Sequence, residues 1–111
     1  MYMLGFNQAT TSPTAIFTPV ADAIIDQVIC IVDTGATGGS PTISVGTTGD
    51  TDLYFKTTDS NLLVQQTYIF EPFESCGSTP SAVGLYITPD SQTFAARVFV
   101  RYIVLSIGQG N

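Results

Sequence analysis

The residues best suited to chemistry lie in the segment Asp33-Thr34-Gly35-Ala36, which follows the apolar pair Ile31-Val32 at the end of a long apolar stretch. A carboxylate on a turn at the end of a strand can act as a general acid or base if its surroundings shift its pKa. Asp and Gly are also common turn residues, because Asp bonds to nearby backbone and Gly tolerates positive φ. The segment therefore has two interpretations, a catalytic carboxylate or a bend that ends a strand.

Other acidic residues form two clusters. Asp50 and Asp52, with Asp59 nearby, could place oxygens around Ca²⁺, but their spacing lacks the ligand pattern of a calcium loop. Glu71 and Glu74 could imitate the carboxylate pair of a glycosidase, although carboxylates this close on a strand end are typical of an exposed surface. Both clusters are predicted to be solvated, and no metal or other cofactor is expected.

The chain has two cysteines and no histidine. Cys30 falls in a predicted strand and Cys76 in a predicted loop, so one disulfide is permitted, but a domain of this size does not require it. Two free thiols are the expectation. Two isolated thiols cannot complete the tetrahedral shell of a zinc ion, so no zinc site is predicted.

The elements that must position these residues are predicted to be strands. Apolar or alternating segments recur about every 8 to 12 residues between turn residues, and no long segment has the helical period. The predicted strands are residues 14–18, 23–33, 41–47, 67–73, 82–88 and 93–107. Residues 56–66 are predicted to be a loop or one helical turn. This pattern indicates an all-β fold, an antiparallel β-sandwich or jelly-roll-like single domain.

The segment 23–33 carries Ile and Val on both faces, which predicts a core contact on one face and burial or a subunit contact on the other. We expect it at the centre of the fold, forming a hairpin with 41–47 across a glycine-rich turn. Residues 1–12 are predicted to be an extended N-terminal arm that orders only against a neighbour, and residues 13–111 to be the β-sandwich domain.

The amino-acid composition limits the classes of function that the chain can have. Charged residues make up 11% of the 111 residues, less than half of the roughly 25% in typical soluble domains, so the surface must be largely uncharged and polar. Such a surface favours a subunit of an assembly. The net charge of −6 leaves no basic stripe for nucleic acid. With no signal-like start and no segment near the ~20 apolar residues of a membrane span, we expect cytoplasmic assembly and no membrane partner.

The segment Ile31 to Ala36 resembles the active-site motif of retroviral-type aspartic proteases. On that pattern Asp33 would be the catalytic carboxylate, and Thr34 and Gly35 would form its bracing loop. Two such loops are required, because a pair of carboxylates sharing one proton supplies both base and acid, so a short chain would dimerise. The late motif of that family is matched only by residues 106–111, with Ser106 in an apolar position. A homodimeric protease is the enzymatic alternative.

A broader pattern covers most of the chain. It consists of the apolar strand 23–32, the string Ser40-Pro41-Thr42-Ile43-Ser44-Val45-Gly46-Thr47, the loop 49–52, the strand residues Gly84-Leu85-Tyr86, and the two-faced strand 93–104. This order is similar to small β-sandwich capsid decoration (cement) proteins of tailed bacteriophages. The resemblance implies a virion protein without catalytic residues that binds the major capsid protein, stabilises the head and forms a homotrimer.

A subunit of this kind is expected to make contacts through its N-terminal arm, the outward face of its last strand and two loops. The candidate contact residues are Tyr2, Leu4, Phe6, Tyr54, Phe73, Arg97, Phe99 and Arg101. The acidic balance indicates attachment to a locally basic outer shell. A tail or receptor-binding accessory module is a further alternative, although a chain without Trp offers little for sugar stacking.

Overall fold

A computed structural model of the chain describes residues 1–88 and 92–104. Its strands are β1 (Tyr2–Asn7), β2 (Thr14–Phe17), β3 (Ile24–Thr34), β4 (Thr42–Gly46), β5 (Thr67–Phe70), β6 (Glu74–Ser75), β7 (Val83–Thr88) and β8 (Ala95–Ile103). A 3-10 turn spans Thr57–Asp59, inside the region predicted to be a loop or one helical turn. In the described ranges no helix is long and apolar enough to cross a membrane.

The strands form two antiparallel sheets. Sheet A is five-stranded, with the order β1-β8-β3-β5, and the short β6 also pairs with β3. Sheet B is three-stranded, with the order β2-β7-β4. β3 pairs with three other strands and lies at the centre of sheet A. The all-β, antiparallel sandwich predicted from the sequence is therefore confirmed.

The core lies between the two sheets. Side chains of a strand point alternately to its two sides, and along most of β3 and β8 every second residue is buried in the core. Val28 and Cys30 of β3 and Val98 of β8 face Leu85 of β7 and Val45 of β4, and all five are 0% exposed. The period of two that identified the strands in the sequence therefore arises from this single core.

β1 corrects the expectation that residues 1–12 order only against a neighbour. It pairs along its length with β8 of the same chain, from Tyr2 opposite Val100 to Asn7 opposite Ala95. The side chain of Phe6 is 4% exposed, and its ring meets Phe94 edge-on, with the ring centroids 6.1 Å apart. β1 thus belongs to sheet A, and the boundary between arm and domain at residue 12 stays a prediction.

An aromatic stack joins the two sheets beside β1. The ring of Tyr2 lies parallel to that of Phe17 in β2, with centroids 4.4 Å apart. Tyr102 of β8 stacks on both, at 5.8 Å from Tyr2 and 5.3 Å from Phe17. Stacked rings add to the free energy gained from burying their area. Through this stack β1 of sheet A packs directly against β2 of sheet B.

The predicted hairpin between β3 and β4 is wrong, because β3 belongs to sheet A and β4 to sheet B. The segment between them crosses from one layer to the other. A Cβ on Gly35 would lie 2.6 Å from the carbonyl oxygen of Leu63, and the N–H of Ala36 donates to the carbonyl of Leu62 at 2.8 Å. Glycine is needed here so that the crossover can pack closely on a distant loop.

Two predicted strands are at least three residues longer than the observed ones, and the other predicted bounds differ from the observed ones by at most one residue at either end. β5 ends at Phe70 instead of residue 73, before Pro72, which has no N–H to give to a sheet. β8 spans Ala95–Ile103 instead of residues 93–107. Residues 105–107 of that predicted strand, and residues 89–91 between the predicted strands 82–88 and 93–107, lie outside the described residues.

Candidate functional site

The outer face of sheet A is the side that points away from sheet B. In β8 it carries Arg97, Phe99 and Arg101, which alternate with the buried Val98 and Val100. Directly paired residues of antiparallel strands project to the same side of a sheet, so the register shows which side chains are their neighbours. The three candidate contact residues of the last strand therefore share one face.

A row of four apolar side chains crosses this outer face. Met3 of β1 is paired with Phe99 of β8, Phe99 with Ile29 of β3, and Ile29 with Ile69 of β5. Met3 and Ile69, at the two ends, are 55% and 59% exposed. Phe99 and Ile29 are half-buried. These four residues are called the apolar row below.

An ion pair lies on one side of the apolar row. Arg97 donates from Nε to Oδ2 of Asp33 at 2.9 Å and from Nη2 to Oδ1 at 2.8 Å. The paired bonds fix both side chains in one geometry. The guanidinium carbon also lies 5.9 Å from the centroid of the Phe99 ring, within the range of a cation–π contact. The hydrogen bonds from Arg97 and its charge hold the pKa of Asp33 below its ordinary value.

A second ion pair lies on the other side of the apolar row. Arg101 donates from Nε to both carboxylate oxygens of Asp26, at 3.0 and 3.2 Å, and its Nη2 lies 2.9 Å from Oδ2. Asp26 is an extra residue in β3, at a shift of register between Ile25 and Gln27. Such a bulge re-aims a side chain. Because the Asp26 side chain is 8% exposed and that of Arg101 46%, the arginine covers the carboxylate.

These contacts give the Asp33-Thr34-Gly35 segment a structural explanation. Asp33 binds Arg97, and Gly35 provides room for the backbone at Leu63. The protease interpretation requires two carboxylates that share a proton, which raises the pKa of one of them. Arg97 acts in the opposite direction and favours the ionised form of Asp33. Residues 106–111, which match the late protease motif, lie outside the described residues.

We expect Asp33→Asn to lower the melting temperature slightly at neutral pH. The ion pair stabilises the fold only while Asp33 is ionised. Because the folded-state pKa is depressed, this contribution is fully present above the ordinary carboxyl pKa of 3.8 and is lost as the pH falls through the lower folded-state value. Melting curves of wild type and variant, recorded from neutral to acidic pH, should therefore converge below that ordinary value.

Asp22→Asn is the matched control. Asp22 is exposed, it has no ion pair among the described residues, and its φ of 60° suits Asn as well as Asp. It should shift the melting temperature less than Asp33→Asn. In parallel, peptide cleavage at acidic pH should not depend on Asp33. Pepstatin-sensitive cleavage that Asp33→Asn abolishes would instead support the protease alternative.

The candidates from β1 and from the Tyr54 loop lie on the inner side. Phe6 and Tyr54 are 4% and 2% exposed, so neither offers a surface to a neighbour in this structure. The hydroxyl of Tyr54 lies 3.5 Å from Sγ of Cys76. Leu4 is half-buried and packs on the core. Tyr2 is 43% exposed but is held in the aromatic stack.

Phe73 lies in the connection between β5 and β6. It is 62% exposed, and its φ is 47°, a backbone region that bulky residues rarely adopt. Glu71 and Glu74 on either side of it are exposed. Side chains held in costly backbone conformations are often functional, so the conformation of this exposed aromatic suggests a contact.

The remaining clusters have local roles. Asp59 accepts a hydrogen bond from the N–H of Lys56 at 2.8 Å, and Asp52 lies 3.8 Å from its Nζ. Among the described residues no group of three or more His, Cys, Asp or Glu is placed to hold a metal ion. Cys30 and Cys76 are free thiols, as expected. Burial raises the pKa of the Cys30 thiol to about 12, so Cys30 is a packing residue.

Sequence reasoning missed three of the four residues of the apolar row as contact candidates: Met3, Ile29 and Ile69. The two-faced composition of β3 was the available signal for Ile29. Met3 and Ile69 become its neighbours only through pairing across the sheet, which the order of the chain does not reveal.

The described residues thus define a small β-sandwich protein with an apolar row and two ion pairs on an exposed sheet face. Its fold is similar to that of a chain in a solved structure, the Cyanophage Pam1 capsid asymmetric unit, with a TM-score of 0.69. The match covers 94% of this chain and 83% of that chain at 19% sequence identity. No protein-family model matches the chain, and no curated protein does. At this identity the likeness shows a shared fold.

Proposed function

We propose that the chain is a structural virion protein of a tailed bacteriophage: a capsid decoration (cement) protein that binds the outer shell of major capsid proteins and stabilises the head. The observation that carries this proposal is the fold shared, over 94% of the chain, with a chain of a cyanophage capsid asymmetric unit. The low charged fraction and the exposed apolar row support it, since both are typical of surfaces made for neighbours. The protein would act without a cofactor, nucleic acid or membrane, on capsids assembled in the host cytoplasm.

Phe73 is the residue we place at the centre of the contact with the shell. Aromatic side chains dominate binding energy when they enter a pocket of the partner. Glu71 and Glu74 beside it would complement a basic rim, and the net charge of −6 would steer the chain to such a surface. Binding should then weaken as the ionic strength rises.

Self-association is the second part of the proposal. The resemblance to cement proteins implies copies of the chain bound to one another as well as to the shell, with a trimer as the predicted state. Contacts of both kinds would brace the shell, because many modest interfaces repeated over a particle add up to a large stabilising free energy.

The test is to mix the purified protein with phage heads that lack it and to measure bound copies and the temperature at which heads break. We expect saturable binding at a fixed ratio to the major capsid protein, and heads that survive to a higher temperature. Phe73→Ala should weaken binding about 30-fold, the equivalent of ~2 kcal/mol at an aromatic hot spot.

Leu63→Ala is the matched control for this variant, because Leu63 is also an exposed apolar residue, at 44%, and lies in a different loop. It should bind heads like the wild type. A protein that does not bind heads would contradict the proposal, and one that binds isolated tails instead would support the accessory-module alternative.

A further inference from the structure

One end of the sandwich differs from the other in the side chains that it exposes. At this end β8 finishes at Ile103, β3 begins at Ile24 and β6 finishes at Ser75, and the three residues are paired across sheet A. The stack of Phe17 on Tyr102 shows that β2 of sheet B finishes at the same end. This end of the sandwich is called the base below.

The loops at the base are joined to one another. The N–H of Asp22 donates to the carbonyl of Gly77 at 2.8 Å, and the N–H of Cys76 donates to the carbonyl of Ala23 at 2.8 Å. The hydroxyl of Tyr54 lies 3.5 Å from Sγ of Cys76. The loops that these contacts connect are residues 18–23, 47–55 and 76–82. They form one surface whose backbone is in place before any partner binds.

Large apolar side chains are exposed at the base. Val20 lies in the loop between β2 and β3, and Val104 directly follows the last residue of β8. Phe73 lies at the margin of the base, one residue before β6. All three are at least half exposed, at 57%, 50% and 62%. Burying them against a partner would gain hydrophobic free energy.

Backbone conformation also distinguishes the base. Among the described residues, the non-glycine residues with positive φ are Asp22, at 60°, and Phe73, at 47°. Such conformations cost free energy, and they often occur where a side chain makes a functional contact. Because both residues lie at or beside the base, the backbone indicates the same part of the molecule as the exposed apolar side chains do.

The base is the acidic end of the chain. The carboxylates on or beside it are those of Asp22, Asp50, Asp52, Glu71 and Glu74. Of these, Asp22, Glu71 and Glu74 have no ion pair among the described residues. The described segments at the opposite end hold no charged residue; they are residues 8–13, 35–41, 60–66 and 92–94. The base thus combines apolar side chains with excess negative charge.

We infer that the chain stands upright on the capsid, with its base against a surface of the major capsid protein that has an apolar centre and a basic rim. The inference rests on the proposed function and deepens it in two ways. It extends the contact with the shell from Phe73 to Val20, Asp22 and Val104. It also sets the direction of the sandwich, with the strands running away from the shell.

A second copy of the chain does not fit the base in the same way. The chain has three basic side chains. Arg97 and Arg101 each bind an aspartate, and Lys56 lies 3.8 Å from Asp52. No copy therefore offers a free basic rim to the carboxylates of another, and two bases in contact would bring like charges together. A different protein with Lys or Arg around an apolar centre would satisfy both features.

The trimer predicted for this chain is compatible with an upright direction. In a closed cyclic assembly all copies point the same way along the symmetry axis, so three bases would face the shell together. Four strands about 4.8 Å apart, in two sheets about 10 Å apart, give each base an area on the order of 400 Å². Three bases would bury on the order of 1,200 Å², more than the ~800 Å² per partner of a standard interface. A single base would bind weakly, and linked bases would bind together.

The experiment measures binding to phage heads that lack the protein for three variants with the same substitution. Val20→Lys and Val104→Lys each place a cation at the base, and Val64→Lys is the matched control. Val64 is 42% exposed and lies in the segment 60–66 of the opposite end. Each variant changes the net charge by the same amount, so a difference between them reports position alone.

We expect each base variant to weaken binding at least about fivefold, because it removes apolar area and repels a basic rim, and Val64→Lys to bind like the wild type. All three side chains are exposed, so the melting temperatures should stay close to that of the wild type. A smaller loss in either base variant would overturn the inference, as would a control that weakens binding as much as they do.

Failure of the inference is distinguishable from failure of the proposed function. In the outcomes above the wild type still binds heads, so the decoration role stands and only the direction is wrong. A wild type that does not bind heads contradicts the proposed function, and the inference with it. Sedimentation of the isolated chain tests the other occupant. Self-association that both base variants abolish would assign the base to a second copy and overturn the inference.

Discussion

Replacing Phe6 with alanine is expected to lower the free energy of unfolding by about 3 to 5 kcal/mol, a large part of the ~5 to 15 kcal/mol that keeps a small domain folded. The side chain is 4% exposed and packs edge-on against Phe94, whose own exposure is 1%. Truncation would leave a cavity between β1 and the start of β8 that the surrounding backbone can close only in part. Denaturant unfolding of the isolated chain measures the loss.

Met3→Ala is the control for this variant in the same strand. Met3 is 55% exposed on the outer face, and its truncation should change the free energy of unfolding by less than about 0.5 kcal/mol when the protein is dilute. The pair of variants tests the place of residues 1–12 in the fold. If that segment ordered only against a neighbour, neither variant would affect the isolated chain, and equal stabilities would contradict the pairing of β1 with β8.

The sequence was sufficient to predict the strands whose side chains alternate. Val98 and Val100 of β8 are 0% exposed, and Phe99 between them is only half-buried. This alternation is a local property, because a strand with one face on a core must repeat every two residues. The predicted sandwich followed from counting such segments, without knowledge of which strand pairs with which.

Pairing itself could not be predicted, because it depends on contacts between residues far apart in the chain. β1 was missed since Gly5 interrupts its apolar pattern and strands seldom contain glycine. The hairpin between β3 and β4 was predicted from glycines that are typical of turns. Gly35, however, is required by its contact with Leu63, a residue that the sequence does not link to it.

Only part of the candidate site could be predicted, because the rest of it also depends on contacts between residues far apart in the chain. Arg97, Phe99 and Arg101 alternate along one strand, so the sequence placed them on one face, as observed. The aspartate partners are 64 and 75 residues away in the chain, at Asp33 and Asp26. The sequence therefore allowed Asp33 to be interpreted only from its neighbours in the chain. In the structure, Arg97 on the adjacent strand binds the Asp33 carboxylate and keeps its pKa low.

Gly46→Ala is expected to destabilise the protein by about 2 to 3 kcal/mol or more, although it adds a single methyl group. A Cβ at this position would lie 2.2 Å from the carbonyl oxygen of Asp50, 2.6 Å from the carbonyl carbon of Thr51 and 2.8 Å from the nitrogen of Leu53. All three are backbone atoms, so no side chain can rotate away. Calorimetry or denaturant unfolding measures the effect.

The cost is large because the loop that would have to move carries part of the core. The N–H of Phe55 bonds to the carbonyl of Val45 at 3.1 Å, and its ring is 0% exposed. If the backbone at residues 50–53 shifts to admit a methyl group, Phe55 is pulled from the position that pairs it with Val45. A methyl group at residue 46 would therefore destabilise the fold by reducing the burial of the Phe55 side chain.

Gly49→Ala makes the same chemical change three residues later. A Cβ on Gly49 meets nothing within 4 Å, so we expect a change within about 0.5 kcal/mol, or slight stabilisation from the lower entropy of the unfolded chain. If both variants were neutral, the close approach of the 50–53 backbone to Gly46 would be wrong. If both were destabilising by the same amount, glycine would be required by the turn as a whole, because contact at Gly46 alone cannot affect Gly49.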